Sequence, residues 1–314
     1  MAILFFGFNS SEKYIFVFTK GAIGMNFLSY LITGISLGSI YALIALGYTM
    51  VYGIAKMLNF AHGDVIMIGG FAVYTVMTIL RLPVWLAIIS AIIVCVVLGV
   101  VIEKIAYKPL RGTSPLTVLI TAIGVSYFLQ NLALLIFGSA AKNFNSIVPE
   151  FFIGSQVRIN GETVVTIVVT VIIMIVLTTF VNKTKTGKAM KAVSEDKGAA
   201  QLMGINVNRT ISITFAIGSA LAAVASMLLC STYPQISPYT GAMPGIKAFT
   251  AAVFGGIGSI PGAMIGGIAL GIIESLSKAY ISSQLADAIV FGVLIIVLLV
   301  KPTGLMGKKI SEKV

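Results

Sequence analysis

The chain of 314 residues is 58% hydrophobic and only 10% charged, with a mean hydropathy of +1.05, which excludes a soluble domain. A formal net charge of +11 would point to nucleic acid in a soluble protein. Here the basic residues gather in loops and at the tail, so orientation against a membrane accounts for them and no nucleic-acid partner is expected.

The first 24 residues read as an N-terminal extension. Met1–Phe8 is apolar but lacks a basic leader and a small-residue cleavage site, so it is a poor signal peptide, and Met25 opens a more coherent segment. Residues 25–307 then read as one polytopic all-α membrane domain, because only helices or closed barrels satisfy every backbone group in hydrocarbon. The pattern predicts about eight full transmembrane helices: Ser29–Tyr52, Phe60–Leu80, Pro83–Glu103, Leu116–Gly138, Thr163–Val181, Thr210–Cys230, Ile260–Ala279 and Gln284–Val300. Cys95 and Cys230 fall inside these segments as packing residues, with neither disulfide nor metal spacing.

Three basic stretches fix the orientation. The loop Lys104–Ser114 carries Lys104, Lys108 and Arg111; the longer insert Asn182–Arg209 sets six Lys/Arg against Glu195 and Asp196; the tail holds Lys301 and, within 308–314, Lys308, Lys309 and Lys313. The positive-inside bias places all three in the cytoplasm. Only three full spans separate the insert from the tail, an odd number that contradicts two cytoplasmic ends. The Gly-rich segment Ala242–Ile257 resolves the count if it crosses as a short broken element, tolerated where protein or a water-filled cavity surrounds it. The same count leaves the N-terminus outside, which Lys13 and Lys20 oppose. Gly-rich stretches recur in both halves, Thr33–Asp64 and Phe254–Gly271, and point to an internal repeat with a solute route at its interface.

Several motifs carry two readings. Gly34-Ile-Ser-Leu-Gly38 matches a serine-hydrolase pattern but has neither the strand–turn–helix context nor acid–base partners, so close helix packing is the better account, as for Gly262/Gly266 and Gly267/Gly271. His62, the single histidine, and Asp64 either cap a helix start or line a pathway. Lys247 either snorkels or meets solute; Glu274 is either interfacial or a solute contact. Gln130 and Asn131 are expected to form interhelical hydrogen bonds. No G-x-x-x-x-G-K-[ST] loop occurs, the nearest fragment being Thr186-Gly-Lys-Ala189, so nucleotide chemistry would belong to another subunit. No acid–base or nucleophile constellation points to an enzyme.

The insert contains Gly198-Ala-Ala-Gln-Leu-Met-Gly204, which resembles the E-A-A-x-x-x-G coupling motif of ABC importer permeases; Gly198 stands where the motif has Glu, and the later I-x-L-P element is missing. With Gly38–Gly53, Asn59-Phe-Ala-His-Gly63, Ala199–Asn206, the long run Lys247–Gly267 and Lys301-Pro-Thr-Gly304, the chain is similar to the permeases of branched-chain amino-acid ABC importers, of the LivH type. The resemblance covers Met25 to Gly307. It implies a multi-pass subunit of the bacterial inner membrane, bathed in membrane lipid, that passes leucine, isoleucine and valine inward with no cofactor of its own. It also implies a LivM-type partner permease, two cytoplasmic ATPase subunits and a periplasmic or lipid-anchored binding protein.

On this reading the pathway runs along the broken elements, with Asn59, His62, Asp64, Lys247, Gly255, Gly256, Gly258 and Ser259 as its residues. ATPase coupling falls to Ala199, Ala200 and Gly204, with Glu195 and Asp196 capping or charging the start of a short helix. A urea or short-amide importer on the same scaffold remains an alternative. A stand-alone channel or ion-coupled transporter is another; it would show paired intramembrane charges, of which the apolar helices offer few.

Overall fold

The computed structural model describes residues 10–144, 146–148, 152–153 and 159–307. Residues 1–9 of the expected extension and the expected tail 308–314 lie outside the described residues. The chain runs α1 (Ser10–Ala55), α2 (His62–Tyr74), α3 (Val84–Ile102), α4 (Pro115–Phe137), β1 (Lys142–Asn143), β2 (Phe152–Ile153), β3 (Ile159–Asn160), α5 (Gly161–Lys183), α6 (Lys185–Glu195), α7 (Lys197–Leu202), α8 (Val207–Thr232), β4 (Gln235–Ile236), α9 (Ala242–Gly255), α10 (Ile260–Tyr280) and α11 (Ala286–Val300). The first helix thus continues upstream of Met25, back to Ser10.

Among the described residues seven helical stretches are long and apolar enough to cross a membrane: Phe27–Ala55, His62–Ile79, Val84–Leu110, Pro115–Phe137, Gly161–Lys183, Val207–Thr232 and Ile260–Tyr280. The eighth expected span is the shorter helix α11, whose 15 residues reach about 22 Å, less than the ~30 Å hydrocarbon core. Helix ends follow local chemistry. Ser114, Asn206 and Ser259 accept hydrogen bonds from the first turns of α4, α8 and α10, satisfying donors that have no partner inside the helix. Lys56, with φ of 59°, takes the left-handed conformation that stops α1.

The two halves share one packing scheme. Helix α1 lies along α10 as α8 lies along α3; α2 packs on α3 and α8 as α9 packs on α10 and α1; and α1 crosses α8 itself. In lipid no hydrophobic force drives helices together, so small residues that let backbones approach supply the contact. A β-carbon on Gly38 would lie 2.6 Å from the Ile268 Cα, and one on Gly34 would lie 2.8 Å from the Ile272 Cα. The serine-hydrolase pattern is therefore a packing seam.

Helices α2 and α9 are the broken elements, and they meet head to head. A β-carbon on Gly63 would lie 2.6 Å from the Gly241 carbonyl oxygen, and one on Gly241 would collide with the Gly63 backbone. His62, at the start of α2, packs against Gly47, eight residues before the end of α1, or about 12 Å deep. The link between α1 and α2 therefore re-enters the protein before α2 runs outward. From the other side, the chain after α8 turns back at β4, pairs with β1 through Lys142–Ile236 and Asn143–Gln235, and enters α9. The 14 residues of α9 give about 21 Å, so the predicted short crossing is an entering loop plus a half-length helix. The opposite face carries the ends of α1 and α9 and the basic loops. There Lys197 Nζ donates to the Ala55 carbonyl at 3.0 Å, Arg111 bonds Asn208, and Leu305 N and Met306 N donate to Phe254 O and Gly255 O, each at 2.9 Å. This is the face that the charge rule expects in the cytoplasm.

Gly63→Ala and Gly241→Ala should each lower the thermal melting midpoint of the detergent-solubilised protein, because overpacking of this kind costs about 1–3 kcal/mol. Gly124→Ala is the control: nothing lies within 4 Å of a β-carbon there, and alanine is the better helix former. Equal midpoints for all three variants would show that the head-to-head contact is not tight.

Candidate functional site

A cavity of about 460 Å³ opens beside the β1–β4 ribbon, on the outer side of the Gly63–Gly241 contact. Its floor is ionic. Glu274 on α10 is 1% exposed and receives Lys247 Nζ at 2.8 Å and Lys278 Nζ at 2.6 Å on Oε1. Tyr41 on α1 donates its hydroxyl to Oε2 at 2.8 Å. Lys247, 8% exposed, also contacts Asp287 Oδ1 of α11 at 2.6 Å. Apolar walls come from Leu37, Leu229, Met243 and Pro244, and a polar rim from Tyr233, Gln235, Ser237 and Thr240.

Burying such ions costs several kcal/mol each unless every one is paired, and here each finds a partner. Lys247 and Glu274 are both buried and paired within one network spanning α1, α9, α10 and α11. The expectation that paired intramembrane charges would be few is corrected accordingly. Tyr41, Lys278 and Asp287 were not singled out from the sequence. The i,i+4 spacing of Glu274 and Lys278 was the available signal.

A second buried carboxylate stands at the cytoplasmic end. Glu103, at the end of α3, is fully buried, accepts from Ser212 Oγ of α8 at 2.6 Å and pairs with Arg111. Burial lowers the affinity of the Arg111 guanidinium for its proton, and the neighbouring Glu103 opposes that shift. The interval from Glu103 to Glu274 equals that from Tyr41 to Ser212 and from Gly47 to Gly218. In each half, then, a carboxylate on one helix receives a hydroxyl from the long helix of the other half and is neutralised by a cation.

The remaining pathway candidates do not line the large cavity. Asn59 Oδ1 accepts from the buried Tyr107 hydroxyl at 2.9 Å and borders a small inner hollow with Tyr48, Tyr52, Phe249 and Ile257. His62 is buried with its ring edge-on to Tyr48 at 4.8 Å, and its Nε2 has no partner among the described residues. No group of three metal-binding side chains occurs among the described residues. Asp64 accepts from Gln130 Nε2 at 2.9 Å, the interhelical bond expected of Gln130. Asn131 instead bonds the Tyr127 carbonyl of its own helix at 2.7 Å.

Gly255, Gly256, Gly258 and Ser259 form the tight turn from α9 into α10. Gly256 and Gly258 have φ of 106° and 93°, a region open chiefly to glycine. Gly256 packs against Met306 and Gly307, and Ser259 caps α10. Their immediate role is geometric.

In the basic insert, α6 buries Gly187, Met190 and Val193, while Asp196 caps α7, its Oδ1 accepting from Gly198 N at 2.7 Å and Ala199 N at 3.0 Å. Glu195 is the last residue of α6 and stands directly before the Asp196 cap. Ala200 is turned inward and buried; Ala199 and Gly204 are exposed. Leu202 and Met203 are 90% and 82% exposed, an apolar pair that sequence reasoning passed over because the small residues drew attention. Lys197 holds its proton less firmly than an ordinary lysine, through burial first and then the neighbouring positive charges of Arg111 and Lys56.

The chain is similar to proteins of known naming along nearly its whole length. It is 46% identical over 301 residues to the LivH permease protein of the high-affinity branched-chain amino acid transport system of Salmonella typhimurium, covering 92% of this chain and 98% of that protein. The Escherichia coli K12 LivH is 46% identical over 305 residues, and the Pseudomonas aeruginosa BraD permease protein 45% over 302, with the same shares covered in each case. The family model for the permease component of branched-chain amino acid transport systems matches residues 30–299. This multi-pass chain belongs to that family.

Proposed function

We propose that this chain is the permease subunit of an ATP-driven importer that passes leucine, isoleucine and valine inward across the bacterial inner membrane. The observation that carries the reading is 46% identity to LivH over 98% of that protein's length. The working assembly adds a LivM-type permease, two cytoplasmic ATPase subunits and a periplasmic or lipid-anchored binding protein. ATP hydrolysis belongs to the ATPases; this chain supplies the passage and the coupling surface. The paired charges at Glu274 are what an ion-coupled transporter would also use, so that reading is tested directly. Proteoliposomes holding this chain alone should accumulate no leucine, whereas the full assembly with ATP and binding protein should. Leucine accumulation by the chain alone would overturn the ABC reading. Inhibition of uptake by urea but not by leucine would move the substrate to the amide class.

The coupling surface of this reading is α7 and the turn after it. Ala199 lets a cleft close over the helix, and Leu202 and Met203 fill it. Gly204, with φ of 81° and open space around it, sets the turn; any side chain there strains the loop before meeting a partner. Asp196 holds the helix start. Full burial of a leucine contributes about 1.5–3 kcal/mol, so Leu202→Asp should weaken retention of the ATPase subunits by about tenfold or more. Glu195→Gln should change retention little. Both are read as ATPase co-purified with the permease and as solute-stimulated ATP hydrolysis. Wild-type values for Leu202→Asp would reduce the insert to a solvated connector.

A further inference from the structure

The ionic network at the outer cavity sets Lys247 and Lys278 against Glu274 and Asp287, so its net charge is zero. A dipolar solute enters without adding charge, while a singly charged one leaves a unit uncompensated at low dielectric, where that is costly. The bonding is also unevenly committed. Lys247 is held by both Glu274 and Asp287, and Tyr41 holds the far oxygen of Glu274. Lys278, which bonds the same Oε1 as Lys247, is 40% exposed and sits at the cavity wall. Swinging Lys278 away costs one ion pair and leaves Glu274 still neutralised. A solute carboxylate can then take Lys278, and its ammonium group can take the freed position on Glu274 Oε1. One pair is broken and two are formed. Leu37, Leu229 and Met243 stand ready as an apolar wall beside that exchange, and the cavity volume of about 460 Å³ falls in the range of about 300–1,000 Å³ usual for small-molecule sites.

We propose that this cavity is an acceptor site for an aliphatic amino-acid zwitterion, its carboxylate on Lys278, its ammonium group on Glu274 and its side chain on the Leu37–Leu229–Met243 wall. The proposal rests on the amino-acid reading above and states where this chain first holds the solute, on the outer side of the Gly63–Gly241 contact. Urea carries neither charge and gains nothing from the exchange.

The test uses the assembled importer in lipid nanodiscs without its binding protein, with radiolabelled L-leucine as the probe. Binding should be saturable and displaced by L-valine. The carboxylate-only analogue 4-methylpentanoate and the ammonium-only analogue 3-methylbutylamine should each displace it more weakly by about 10- to 100-fold, the worth of one charge-assisted hydrogen bond. Lys278→Met should weaken leucine binding by a similar factor, and Lys278→Arg should largely restore it; the half-exposed position of Lys278 makes both variants compatible with folding. Absence of saturable binding, wild-type affinity in Lys278→Met, or displacement by either singly charged analogue as strong as by valine would each overturn the site. ATP-driven uptake is measured on the same preparation with binding protein added. Normal leucine uptake beside absent permease binding sinks the acceptor site alone, whereas uptake blocked by urea and not by leucine sinks the amino-acid reading and the site with it.

Discussion

At Gly63 and Gly241 two backbones touch with no side chain between them, and the arrangement of the molecule follows from that contact. Each glycine stands at the entry of a helix that begins inside the protein, and each helix needs its partner's backbone to surround an irregular stretch that lipid would not tolerate. Because α2 and α9 meet head to head, one runs outward and the other inward, and the parity of the chain closes. The long helices are then placed by the same rule of close approach: α1 along α10, α8 along α3, with glycines at the points where a β-carbon has no space.

The ionic groups obey the same pseudo-twofold arrangement. Glu274 and Glu103 occupy matching positions in the two halves, and the hydroxyls that reach them, from Tyr41 and Ser212, also match. Their cations do not. Arg111 comes from the loop after α3, whereas Lys247 and Lys278 come from α9 and α10. That asymmetry is chemically meaningful. A single guanidinium closes the cytoplasmic carboxylate, while two ammonium groups crowd one oxygen at the outer mouth and leave one of them exchangeable. The scaffold is shared; the outer site is specialised.

Composition and apolar run length made the helices legible, since hydrocarbon permits little else. Charge parity singled out Ala242–Ile257 as a short broken element, and the helix there, α9, is 14 residues long. The charge networks were less legible because they join residues far apart in sequence: nothing local to Tyr41 announces Glu274. Lys247 was visible as a charge in an apolar element, but its pairing partner lay one helix away, so snorkelling and burial could not be told apart. The Gly255–Ser259 run was conspicuous because positive φ demands glycine, and that same demand gives it a turn to build rather than a cavity to line. In the basic insert the small residues drew the eye, yet which of them faces outward depended on the packing that buries Ala200 and leaves Leu202 exposed.

Helix α9 joins these features mechanically. Its outer half carries Lys247, bonded to α10 and α11; its inner end is held by Leu305 and Met306, whose amides bond the last carbonyls of the helix; its entry rests on Gly63 of α2. Packed interiors switch between discrete arrangements more readily than they deform continuously, and a helix of four turns transmits displacement along its axis. Lys247 at the outer network, Phe249 at the inner hollow and the turn at Gly256 thus lie along one short helix and its end. The outer charge network and the inner hollow draw on one short rigid element, and no long relay of side chains is needed to connect them.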